Sequence, residues 1–368
     1  MPPADELRFR QTVRQHLKQH RRQAYRGPIV LRLGFQTTDR NASHIHTLTK
    51  NFLDLLGRHA NRFDTAAPPL LYSDDAQVHG LLVSCRHGEE SPRVTVESRS
   101  LSEFCDDLSL AMTIDFDDTA EEKIDLYGGT GSLARDDFVR ILGEDAWHSE
   151  WIRRQQSAQR NVLRYHGLRV YDLAYLFRSP QPGVRNEPFL DEMSTRWAER
   201  LRESPFRITL QELPQRPGSA PQYRVHVLEQ LRAFRERFSR ILSPIRVPVA
   251  LEVLVKPPPA SRAFATHDLD NVLRRYLVPG VIETFSPPSD FLWALDAAYP
   301  GQPTRFSERK PPISTATGLI RMEAWRIPRS AEDTSPGFIS VALVSDDFGN
   351  GDSLGLLDKR INNWTERD

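Results

Sequence analysis

One succession of segments occurs twice in this chain and constrains its fold more than any other feature. A basic helix-forming segment at residues 10–25 leads into an apolar strand pattern at residues 29–35. The same order returns in the second half of the chain, at residues 223–242 and 248–255. A repeated order of elements is the sequence signature of a repeated structural unit. The pattern therefore predicts two related modules, each containing helices and strands.

Acidic residues follow both strand patterns, in two different arrangements. Asp74 and Asp75 open the sequence Asp-Asp-Ala-Gln-Val, whereas Asp268 and Asp270 belong to the sequence Asp-Leu-Asp-Asn. Carboxylates are the hard oxygen ligands that Mg²⁺ prefers, and alternate residues of an extended segment point to one face. Aspartate is also common in turns and at helix starts without any metal. From the residues alone, both interpretations stay open.

In order and spacing, these segments resemble the RusA family of Holliday-junction resolvases. That family's pattern runs strand, D-x-D-N-L-x-x-K helix, D-D-x-Q-V, strand, strand. The first block matches it directly at residues 74–78, and the second at residues 268–271. In the first block, His44 and His46 stand at the D-x-D positions, and Lys50, one residue before the lysine position, is the counterpart of the lysine. The second block has no D-D-x-Q-V sequence.

The resemblance implies a metal-dependent nuclease centre in the second block. Asp268 and Asp270 would be catalytic metal ligands for Mg²⁺ or Mn²⁺, with Asp290 as a third catalytic carboxylate. Allowing one residue of slippage, Arg274 is a counterpart of the family's lysine in that block, and the resemblance implies that it contacts a DNA phosphate. Lys50 would make the same contact in the first block, unless it is an ordinary lysine on a helix surface.

The acidic pair of the first block and its two histidines allow several interpretations. Asp74 and Asp75 are either metal ligands or part of a solvated turn. They could also join Asp268 and Asp270 in a composite site between the two modules. Because imidazole ligates transition metals, a His-x-His site with Asp75 is conceivable. We favour degenerate site positions for both histidines, His44 and His46, because an isolated His-x-His pair is a weak motif.

The expected fold class is α+β: two fused RusA-like modules, each a mixed sheet with packed helices, forming an internal pseudo-dimer. Related resolvases are homodimers, and duplication within one chain can mimic such a pair. We predict a degenerate first module at residues 1–105, a mainly helical insertion at 106–205, the second module at 206–330 and a C-terminal extension at 331–368. The extension includes an expected edge strand at residues 338–344. Helical spacing predicts a buried face in the insertion at Ile141, Leu142, Trp147, Trp151, Ile152 and Val162.

Charge and composition limit the classes of function. Lys and Arg together number 49, as do Asp and Glu, so bulk charge does not drive binding to nucleic acid. Residues 8–26 are nevertheless rich in basic side chains. The sequence holds only two cysteines, which exclude a cysteine metal cage. No apolar run is long enough for a membrane span, and the first residues lack a signal-peptide pattern, so we expect a cytoplasmic protein without membrane contact.

Two functional hypotheses follow. The first is a divergent RusA-like protein that binds branched DNA and retains Mg²⁺-dependent endonuclease activity. The second is a catalytically inactive scaffold that uses the fold to bind DNA or a protein partner in a larger assembly. In either case, the candidate DNA-binding residues on the first basic segment would contact the phosphate backbone. They are Arg14, Lys18, Arg21 and Arg22.

Overall fold

The computed structural model describes most of the chain, and the statements below concern this part. The described residues are 3–38, 44–57, 69–87, 89–117, 144–164, 167–168, 170–177, 188–204, 207–210, 220–242, 245, 247–258, 268–285, 319–329, 334–345 and 352–366.

A mixed sheet of seven strands forms the centre of the structure, in the order β3-β1-β2-β6-β5-β7-β4. The strands are β1 (Ile29–Thr37), β2 (Val78–His87), β3 (Arg93–Ser100), β4 (Ile208–Leu210), β5 (Val249–Lys256), β6 (Leu319–Arg326) and β7 (Phe338–Ser345). Apolar residues dominate β5 and β7, as expected for strands covered on both faces.

Helices pack on both faces of this sheet, which confirms the predicted α+β class. They are α1 (Pro3–Gln19), α2 (Ile45–Leu56), α3 (Leu101–Asp117), α4 (Glu144–Arg164), α5 (Val170–Leu176), α6 (Pro188–Glu203), α7 (Ala220–Arg237), α8 (Ser239–Leu242), α9 (Leu269–Val272), α10 (Val278–Thr284) and α11 (Ser353–Thr365). A π-helical turn at Leu273–Leu277 joins α9 to α10. No helix in the described ranges is both long and apolar enough to cross a membrane.

The two halves of the sheet have the same strand pairing. In the first half, β1 pairs parallel with β2 and antiparallel with β3. In the second, β5 pairs parallel with β6 and antiparallel with β7. The register shift after Ile29 in the first parallel pair has a counterpart after Val249 in the second. The two halves therefore share this register shift as well as the strand pairing, although the apolar pattern of the strands does not require a shift.

The halves meet where β2 and β6 pair antiparallel in the middle of the sheet. Gly80 lies opposite Trp325, Ser84 lies opposite Arg321, and Leu82 lies opposite Glu323 between them. If β2 is matched to β6 by its register with β1 and β5, Leu82 and Glu323 are equivalent positions. The pairing is thus symmetric about this central pair, as expected for a two-fold axis through the sheet.

The alternation of side chains along the strands separates two cores. Leu31 and Leu33 of β1 point to the face covered by α2, α7 and the π-helical turn. Val30 of β1 and Trp325 of β6 point to the opposite face, where Phe104 of α3 stacks on the Trp325 ring at 4.9 Å. On that second face α3 also packs against α11.

Several predictions about the remaining segments need correction. The segment at 338–344 is not an edge strand, because β4 pairs with the outer side of β7. Residues 331–368, predicted as an extension, contribute β7 to the sheet beside β5, so a boundary at residue 330 separates two paired strands. The insertion is mainly helical as far as it is described, but Trp151 of its expected buried face is 43% exposed. Gln156 and Gln159 are buried on α4 instead.

Candidate metal centre

Three aspartates from the two halves of the chain converge at one end of the central strand pair. Asp75, Asp268 and Asp270 each place a carboxylate oxygen within 4.8 Å of the others, close enough to hold one metal ion. Asp75 precedes β2, whereas Asp268 and Asp270 belong to the start of α9. The structure therefore brings together residues separated by almost two hundred positions, in the composite arrangement considered above.

The Asp-Asp-Ala-Gln sequence positions Asp75 through a local capping network. Asp74 caps a short 3₁₀ turn by accepting a hydrogen bond from the Ala76 amide at 2.9 Å. The Gln77 side chain closes the capping box by accepting from the Asp74 amide, and donates to the carbonyl of Gly27 before β1. This reciprocal arrangement satisfies the free backbone donors of the turn. Asp74 and Gln77 thus hold the turn, and Asp75 is left to face the site.

The Asp-Leu-Asp-Asn sequence begins a helix in the second half. Asp268 is the N-cap of α9 in an extended conformation, and Asp270 lies in the first turn. The side-chain amide of Asn271 donates to the Asp268 carboxylate at 3.4 Å. The π-helical turn follows directly, and such turns are frequent at functional sites.

Asp270 is the most deeply buried of the three carboxylates. Its side chain is 2% exposed, and neither carboxylate oxygen accepts a hydrogen bond from the described residues. The Lys50 ammonium lies 3.3 Å from Oδ2 as an ion pair. Because a buried carboxylate without hydrogen bonds is costly, an additional cation at this position would stabilise it.

Lys50 of α2 connects the acidic groups of both halves. Its Nζ lies 2.8 Å from Asp54, 3.1 Å from Asp75 and 3.3 Å from Asp270. Burial acts to lower the pKa of Lys50, but hydrogen bonding to Asp54 and the charges of Asp270 and Asp75 raise it above its ordinary value. Lys50 therefore stays protonated and neutralises part of the acidic cluster.

Arg326 supplies a second positive charge from the end of β6. Its Nη1 donates to the Ala76 carbonyl at 2.8 Å, and its Nη2 lies 4.0 Å from Asp268. Burial and the charge of Asp270 raise the pKa of Asp268 to about 6, against the lowering effect of Arg326. Burial likewise raises the pKa of Asp75. The site thus holds more negative charge than its two cations stabilise, which suits a divalent cation.

The other predicted site residues are placed as follows. Asp74 does not belong to the three-aspartate group, because its carboxylate caps the 3₁₀ turn. His44 and His46 stack on each other with ring centroids 5.6 Å apart and do not join that group either. Burial lowers the pKa of His46 to about 4, with smaller contributions from the charges of His44 and Arg274. Asp290 lies outside the described residues.

The basic residues of α1 and of α7, the helices that precede β1 and β5, have different surroundings. Arg14, Lys18, Arg21 and Arg22 are all exposed on α1 and the turn that follows it. On α7, by contrast, Arg224 donates to the Arg275 carbonyl, Arg235 donates to the Thr284 carbonyl, and Arg232 pairs with Glu283. These three arginines of α7 therefore attach that helix to its neighbours.

Arg326 and the bonding of Lys50 to carboxylates were not foreseen from the sequence. Arg326 ends an apolar strand, where a charged residue is unremarkable, and no local signal marks its contact with the turn before β2. Lys50 was expected to contact a phosphate, whereas here it contacts three aspartates.

Comparisons of this chain with protein-family models, with curated proteins and with solved structures found no match.

Proposed function

We propose that this protein is a RusA-like endonuclease that cleaves branched DNA with Mg²⁺ or Mn²⁺ at one composite centre. The proposal treats the two halves as fused modules of an internal pseudo-dimer. The repeated strand pairing and the repeated register shift support such a duplication. The antiparallel pairing of β2 with β6, symmetric about Leu82 and Glu323, supports a two-fold relation between the modules.

The observation that carries the proposal is the buried Asp270 carboxylate. It lies with Asp75 and Asp268 in a group of suitable size for one ion, and neither of its oxygens has a hydrogen bond among the described residues. Three carboxylates form an all-oxygen donor set, which fits Mg²⁺ or Mn²⁺ better than a soft metal. A structural ion-pair cluster would be expected to satisfy such a buried group with hydrogen bonds.

The roles of the side chains follow from these contacts. Asp75, Asp268 and Asp270 would hold the ion, which when bound supplies a Lewis acid and an acidified water. Lys50 would hold the charges of Asp75 and Asp270 in place before the ion binds. Arg326 would fix Asp268 against the turn before β2, since it contacts both. The exposed basic residues of α1 would bind the DNA backbone.

Cleavage assays on labelled four-way junctions, forks and flaps test this proposal. We expect cleavage by the wild-type protein in Mg²⁺ or Mn²⁺ and none in EDTA. Asp270→Asn should reduce the rate at least ~100-fold while retaining DNA binding, because a neutral ligand weakens metal affinity. Asp74→Asn is the matched control, since asparagine also caps turns and should leave cleavage near wild type. Wild-type protein that cleaves none of these substrates with either metal would contradict the proposal.

A catalytically inactive scaffold is the second candidate, and the position of Lys50 favours it. An ammonium between Asp75 and Asp270 partly fulfils the role of a metal cation. In that case the cluster would stabilise the junction of the two modules without catalysis. Calorimetric titration with Mn²⁺ separates the two functions, because the scaffold predicts no binding that depends on Asp270.

A further inference from the structure

The two-fold relation between the halves defines a second position equivalent to the acidic site. In the acidic site, Lys50 of α2 contacts Asp270 of α9. His46 precedes Lys50 by four residues, and Arg274 follows Asp270 by four residues. Residues four apart lie on one side of a helix. If the two-fold relation superposes α2 on α9, His46 takes the position of Asp270 and Arg274 takes the position of Lys50. The Lys50–Asp270 pair then has an Arg274–His46 pair as its counterpart. The charge of Arg274 contributes to the lowered pKa of His46, after burial and His44.

Each acidic position of the first site has a non-acidic counterpart at the second. His44 corresponds to Asp268, and His46 corresponds to Asp270. The register of β2 and β6 matches Val78 to Leu319. Three residues before these lie Asp75 in one half and Ala316 in the other, although Ala316 itself is outside the described residues. Among the described residues, the second position thus lacks the two carboxylates that Asp268 and Asp270 supply at the first.

The side chains at this second position do not suit Mg²⁺. Two imidazoles are poor ligands for a hard cation that prefers oxygen. The positive charge of Arg274 further opposes a divalent ion there. Within the described part of the chain, one group of acidic, histidine or cysteine side chains has the geometry for a metal, and it is the three-aspartate group.

We infer that each chain carries one incision centre and therefore nicks a single DNA strand per binding event. This inference rests on the proposed function and specifies its product. Hydrolysis adds one water across one phosphodiester: the water oxygen bonds to phosphorus, one P–O ester bond breaks, and the departing oxygen leaves as a hydroxyl. A paired incision needs two such centres on one bound junction. A single chain would supply only one of them.

A supercoiled plasmid with an extruded cruciform tests the inference by its product. The protein is bound to the plasmid without metal, and Mg²⁺ is then added together with excess competitor junction, so that only one binding event is scored. We expect nicked circles to exceed linear plasmid at least ~10-fold at all times. Linear plasmid forming as fast as nicked circles would overturn the inference while leaving the proposed endonuclease intact. No cleavage of any kind would overturn both.

Metal binding provides a second measurement that is independent of cleavage. Mn²⁺ titration of the full chain, followed by electron paramagnetic resonance, should show that Asp270→Asn abolishes saturable binding. His46→Asn also introduces asparagine, at the position equivalent to Asp270. This variant should bind Mn²⁺ as the wild type does. Residual saturable binding in Asp270→Asn that disappears when His46→Asn is added would show a second centre and overturn the inference.

Discussion

The proposed duplication makes two positions of this molecule equivalent, here called corners: the three-aspartate group, and the position of His46 and Arg274. Their side chains differ in charge and in ligand chemistry. At one corner, Lys50 faces Asp270 in a cluster rich in carboxylates. At the other, His46 stacks on His44, and burial, the charge of His44 and the charge of Arg274 lower its pKa. The strand pairing around both corners is the same, including the register shift in each parallel pair. The comparison teaches that backbone hydrogen bonds and apolar packing maintain this fold, whatever side chains occupy the site.

The largest effect that we predict concerns a second difference between the two halves, in the basic side chains of α1 and α7. Changing Arg14, Lys18, Arg21 and Arg22 to glutamine should weaken binding to a four-way junction by ~100-fold at low salt. The slope of log affinity against log salt should fall by ~3–4, because each lost phosphate contact removes about one released counterion. Fluorescence anisotropy across a salt series measures both quantities.

A matched control for that variant lies on the equivalent helix, α7. Arg232→Gln removes one exposed charge that pairs with Glu283, so the salt slope should change by less than ~1. A quadruple variant with wild-type affinity and salt slope would show that α1 does not contact DNA.

The second prediction compares the two basic residues at the corners. Lys50→Met should lower the free energy of unfolding in EDTA by ~2 kcal/mol, because it leaves buried carboxylates without their cation. Adding Mg²⁺ or Mn²⁺ should recover most of that loss by binding the native state. Arg274→Met, at the equivalent position, should cost under ~1 kcal/mol and respond little to metal. Urea unfolding with and without metal measures both; equal losses in the two variants would contradict the asymmetry.

The smallest predicted effect concerns Asp268 and its pH dependence. The folded pKa of about 6 exceeds the ordinary value of 3.8, so ionised Asp268 destabilises the metal-free native state. This cost develops as the pH rises from about 4 to about 6 and is complete above that range. Asp268→Asn should therefore raise the free energy of unfolding by ~1 kcal/mol at pH 8 in EDTA, and by less at pH 5.

The control for Asp268→Asn is the equivalent substitution at the other corner. His44→Asn should give no gain in stability that increases with pH over this range. An Asp268→Asn variant whose stability gain is the same at pH 5 and pH 8 would show that this carboxyl ionises without cost in the folded protein. Its assignment to a crowded acidic cluster would then be wrong.

The sequence by itself determined the class of fold and several of its strands. Alternating or continuous apolar residues identified the segments that form β1, β5 and β7 to within two residues at each end, because burial of a strand face requires that pattern. The Asp-Asp-Ala-Gln-Val and Asp-Leu-Asp-Asn sequences marked the two acidic segments. They did not distinguish Asp74 from Asp75, because both residues are aspartates and the capping bond of Asp74 depends on the shape of the turn.

Only the tertiary structure decided which of these residues form one site. The approach of Asp75 to Asp270 depends on β2 pairing with β6 and on α2 crossing α9, and both are contacts between distant parts of the chain. The role of Arg326 depends on the same pairing, which brings the end of β6 beside the turn before β2. Local patterns specify how a segment folds. The position of one half of the sheet against the other follows from burial across the whole sheet, which no short segment encodes.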